Sequence, residues 1–108
     1  MPLLADNLDK INWEFLSRNK SDGALTLLEQ NQDKINWNNL SGNTNDRALA
    51  LLEQKRRPNK IDWKELSENT NDRAIAILEQ KQKKINWKML SRNTNDNLYF
   101  YANEYILK

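Results

Sequence analysis

A tripeptide centred on tryptophan recurs four times and constrains this chain more than any other feature. It reads Ile11-Asn12-Trp13, Ile35-Asn36-Trp37, Ile61-Asp62-Trp63 and Ile85-Asn86-Trp87, with tryptophans 24, 26 and 24 residues apart. Leu-Ser follows three residues after each tryptophan, at Leu16-Ser17, Leu40-Ser41, Leu66-Ser67 and Leu90-Ser91. An asparagine (Asn19, Asn43, Asn69, Asn93) and an aspartate (Asp22, Asp46, Asp72, Asp96) complete the register. Leu27-Leu28-Glu29-Gln30, Leu51-Leu52-Glu53-Gln54 and Ile77-Leu78-Glu79-Gln80 close the first three units. Self-similarity at such a period marks an array in which each unit buries its apolar face only against its neighbours.

The period resolves into two short helices per unit. Asn or Asp always precedes the tryptophan, and both accept hydrogen bonds from the free amides of a helix start, so this position reads as an N-cap. Trp37, Leu40 and Ser41 then share one face of a helix A running from Trp37 to Gly42. Ala48, Leu49, Leu51 and Leu52 give the apolar stripe of a helix B over Thr44 to Gln54, with Asn43 and Asp46 expected as its capping pair. The link Lys55-Arg56-Arg57-Pro58-Asn59-Lys60 is two residues longer than its counterpart and accounts for the 26-residue interval. Neither helix is long enough to persist alone in water. The chain is therefore expected to be all-α: an α-solenoid of stacked two-helix repeats, wound as a right-handed superhelix.

One domain spans 1–108, with units at 11–34, 35–60, 61–84 and 85–108. Residues 1–10 align with the end of helix B and read as a truncated first helix. Residues 97–108, which hold Tyr99, Tyr101 and Tyr105, read as a capping helix over the last unit.

The repeat Asp-Lys-Ile-Asn-Trp-x-x-Leu-Ser-x-Asn, followed by a leucine-rich helix ending in Glu, resembles the short tandem repeats of giant, mimivirus-like DNA viruses. Those repeats often carry Asn-Pro where this chain has Lys20, Thr44, Thr70 and Thr94 after the asparagine. The resemblance covers nearly the whole chain and implies a viral α-solenoid in the host cytoplasm, with no catalytic residues. A designed, consensus-like array fits the same pattern.

The chain has neither cysteine nor histidine, which removes thiolate chemistry and the commonest general base and metal ligand. Only Gly23 and Gly42 are present, so there is no glycine-rich phosphate loop. We expect no catalytic site, cofactor or metal. No apolar run reaches membrane-spanning length, and the first ten residues lack a secretory pattern; the chain is expected to be intracellular and monomeric.

Function is then sought in what varies between units. Phe15, Arg18, Asn38, Asn39, Lys64, Glu65, Lys88, Met89 and Arg92 lie on helix A at non-repeating positions, and are the expected contact surface for a partner protein. The tryptophans are assigned to the core, although an exposed tryptophan ladder would be able to stack bases. The alternative function is nucleic-acid binding through a basic edge formed by Lys10, Lys34, Arg56, Arg57, Lys60 and Lys84. Glu29, Glu53 and Glu79 recur beside that edge and are expected to neutralise part of it. Residues 1–50 carry 5 basic and 7 acidic side chains, whereas residues 51–108 carry 12 and 8.

Overall fold

The computed structural model describes residues 3–54 and 58–98. Among the described residues, seven α-helices alternate as helix A and helix B of successive units. They are α1 (Trp13–Arg18), α2 (Asp22–Gln30), α3 (Trp37–Ser41), α4 (Asp46–Leu52), α5 (Trp63–Glu68), α6 (Asp72–Gln80) and α7 (Trp87–Leu90). The described residues contain no strand.

Every helix A starts as the tryptophan motif predicts. The side chains of Asn12, Asn36, Asp62 and Asn86 accept from the backbone N–H of Phe15, Asn39, Glu65 and Met89 at 3.0–3.1 Å. Helix B is shorter than expected. It begins at the aspartate, and its cap is Ser21, Asn45 or Asn71 rather than the asparagine two residues earlier. The links into each helix A wind into 3₁₀ turns at Gln32–Lys34, Pro58–Lys60 and Gln82–Lys84.

The amino-terminal segment keeps the register of a helix B end but not its helix type. Ala5–Lys10 is a 3₁₀ element broken at Asn7, whose backbone (φ −135, ψ 46) matches Asn31 (φ −136, ψ 54). Asn7 Nδ2 donates to Leu3 O as Asn31 Nδ2 donates to Leu27 O, each at 2.9 Å. The expected C-terminal capping helix falls mostly on residues 99–108, outside the described residues.

The helices associate in chain order. Helices A touch as α1–α3, α3–α5 and α5–α7, helices B as α2–α4 and α4–α6, and each A touches its own B. The molecule measures 54 × 24 × 20 Å with a radius of gyration of 15.1 Å, above the ~13 Å of a compact globule of this length. One continuous apolar core runs through it. Leu16, Leu40, Leu66 and Leu90 enter it from helix A, and Leu25, Leu28, Leu49, Leu52, Ile75 and Leu78 from helix B. Each fully buried leucine contributes roughly 1.5–3 kcal/mol.

Of the tryptophans assigned to the core, three pack against it and Trp87 departs. Trp13, Trp37 and Trp63 are half-buried against it, and Trp87 is 62% exposed.

Candidate functional site: the inter-unit ladder and the exposed helix A edge

The invariant polar residues of the repeat turn out to build the joints between units. Each buried serine bonds twice. Ser17 Oγ donates to Trp13 O (2.7 Å) within its own helix and accepts from Asn36 N–H (2.9 Å) of the next unit. Ser41 and Ser67 repeat this with Asp62 and Asn86. A serine at this helical position normally back-bonds to the i−4 carbonyl; here the same oxygen also satisfies the amide of the following cap residue.

The asparagine expected to cap helix B does a different job. Asn43 Nδ2 donates back to Ser17 O (3.0 Å) and Asn19 O (2.9 Å), while its Oδ1 accepts from Asn45 N–H. Asn69 and Asn93 make the same three bonds to the unit before them. All three are buried, where an unbonded amide or carbonyl is costly. Asparagine suits the place because one short side chain offers two donors and an acceptor.

A third rung lies at the surface. Asn45 Nδ2 donates to Lys20 O and Asp22 Oδ1, both at 2.8 Å, and Asn71 and Asn95 do likewise to Asp46 and Asp72. The aspartates thus accept from the next unit as well as sitting in the first turn of helix B. Asn95 first and Asn97 second hold the Asp72 carboxyl below its ordinary pKa.

Arginine completes the joint. Arg47 forms a two-pronged ion pair with Glu29 of the preceding unit and donates to Asp22 O and Thr26 Oγ1. The Glu29 hydrogen bond raises the Arg47 pKa, against opposing desolvation. Arg73 pairs with Glu53 at 3.1 Å in the same way. Glu29 and Glu53 therefore engage arginines of the next unit. This corrects the expectation that they offset the lysine edge.

Ser21 and Gly23 occupy the positions of Asn45 and Arg47 in unit one, so two of its backward-reaching side chains are missing. That contrast, together with the repeat of Asn45, Asn71 and Asn95 and of Arg47 and Arg73, was the available signal for the joint; it went unread because each residue also has an ordinary local role.

The expected protein-contact residues divide sharply. Arg18, Asn38, Lys64, Lys88 and Arg92 are exposed, and Phe15 is 67% exposed. Met89 is a correction, since it is only 5% exposed and belongs to the interior. Its position faces the preceding unit. The equivalent Asn39 donates to Glu14 O (3.0 Å) across the joint. The equivalent Glu65 lies so close to α3 that a Cβ on Gly42 would meet its Oε2 at 2.8 Å. Phe15 is exposed because the described residues provide no helix A before α1 to cover it.

Of the basic edge, Lys10, Lys34, Lys60 and Lys84 are exposed, each the last residue of a 3₁₀ turn. Arg56 and Arg57 lie outside the described residues. Among the described residues no group of three or more acidic side chains is placed to hold a metal ion, and no helix is long and apolar enough to cross a membrane. No protein-family model, curated protein or solved structure matches the chain.

Proposed function

We propose that this chain is a non-catalytic α-solenoid scaffold, coiled as a right-handed superhelix, that binds another protein along the outer edge of its helices A. One observation carries the reading: apart from the edge lysines, the residues that recur are committed to caps, core or joints, while Arg18, Asn38, Lys64, Lys88 and Arg92 vary between units and stand in solvent. Arg18, Asn38, Lys64, Lys88 and Arg92 have no repeat-wide structural duty, and Phe15 adds an apolar anchor of the kind that concentrates binding energy at interfaces. The resemblance to giant-virus repeats supports a viral origin and a place in host cytoplasm.

The test is affinity capture on the immobilised full-length chain, compared with F15S and with K64E/K88E. A specific partner lost from both variants is expected. A captured set identical in all three would overturn this surface.

A further inference from the structure

Trp87 is the most exposed of the four tryptophans. The inner tryptophans are half-buried, and the serines beside them are fully buried because the following unit caps them. In unit four Ser91 is exposed and Trp87 presents 62% of its surface. The sequence around it also differs in charge from that around the other tryptophans. Residues 7–21 hold three cations against two carboxylates, residues 31–45 one against one, and residues 57–71 three against three. Residues 81–95 hold five cations, Lys81, Lys83, Lys84, Lys88 and Arg92, and no carboxylate. All five are exposed. The residue before the edge lysine follows the same trend, from Asp9 and Asp33 to Asn59 and Lys83.

We propose that this face of unit four is a binding site for single-stranded nucleic acid, in which Trp87 stacks on a base while Lys81, Lys83, Lys84, Lys88 and Arg92 contact the flanking phosphates. An accessible indole amid cations is the combination that single strands require, since stacking is indifferent to base identity and the cations follow the backbone. An acidic protein would use the cations but gain nothing particular from the indole. A duplex hides its base faces. The site is confined to unit four, unlike a lysine edge running the length of the array, because only there do charge and open ring coincide.

The experiment titrates full-length protein with a labelled single strand of about ten nucleotides, following anisotropy and intrinsic tryptophan fluorescence. Binding at low salt with quenching is expected, with a slope of log K against log salt of about −3.5 for five phosphate contacts. W87A should bind about tenfold more weakly, K83E/K84E should bind more weakly still, and K10E/K20E should bind like the parent. The same sequence as a duplex should bind less tightly and leave Trp87 emission unquenched. Absence of binding at low salt overturns the proposal. So does binding that W87A leaves unchanged, or equal competition by polyglutamate, which would indicate a surface for acidic protein. If W87F leaves acrylamide quenching of the free protein unaltered, Trp87 is covered and the site does not exist as described.

Discussion

Asn69 illustrates how much a single side chain carries at a joint. It bonds two carbonyls of the preceding unit and the amide of Asn71 from a site with 1% exposure. Asn69→Ala strands those groups, and urea denaturation should show a loss of about 2–4 kcal/mol. Asn19 holds the same repeat position but is exposed, so Asn19→Ala should cost less than about 1 kcal/mol. Equal losses at the two sites would contradict the ladder. Asp72 offers a titration test. Its native pKa is depressed by Asn95 and Asn97, so its stabilising contribution is complete above the unfolded value near 3.8 and fades as pH falls through the native one. Carboxyl NMR should find the Asp72 midpoint below the usual aspartate range, and Asn95→Ala should move it upward. Sequence reasoning singled out Asn43, Asn69 and Asn93 without their partners, and passed over Asn45, Asn71, Asn95, Arg47 and Arg73. Asn43 and Asn45 are equally good caps on paper, and only packing decides which one caps and which reaches across. Met89 follows Lys88 in a variable pair, and nothing local reveals that one faces inward.

At the scale of the element, the helices are too short to stand without their ends. Helix A has six residues at most, so an N-cap acts on a large share of its free amides. The repeat accepts Asn or Asp there. Asp62→Asn should therefore be close to neutral in thermal or urea unfolding, whereas Asp62→Ala should cost about 1 kcal/mol. A comparable loss for both would mean that the carboxylate charge, not the hydrogen bond to Glu65 N–H, holds α5. The Glu29–Arg47 pair is exposed to solvent, so its coupling in a double-mutant cycle should be small and should shrink further as salt is raised. Helix A starts were legible because Asn/Asp exchange leaves a chemical signature. Helix B starts were not, since Thr44 and Asn45 continue the helical pattern in sequence while Asn45 is extended in the structure (ψ 133).

At the scale of the whole molecule, the main contacts among the described residues run between units adjacent in sequence, and a solenoid built this way would have a stability that sums along the chain. Native-state hydrogen exchange should show the slowest amides in α3 to α6, which have described neighbours on both sides, and faster exchange in α1 and α7. Uniform protection would point to one all-or-none unit instead. The order of units was plain from the tryptophan spacing. The charge concentrated around Trp87 was visible as composition, but its coincidence with an open ring required the structure. The asparagine ladder has one more implication. Each unit offers carbonyls forward and amide donors backward, so the joint has a fixed direction and the same chemistry at each repetition. Parts with such a standard coupling are interchangeable: duplicating or deleting twenty-odd residues brings matching faces together again. An array of this kind changes its length and outer surface by copying units, without any new joint having to be invented.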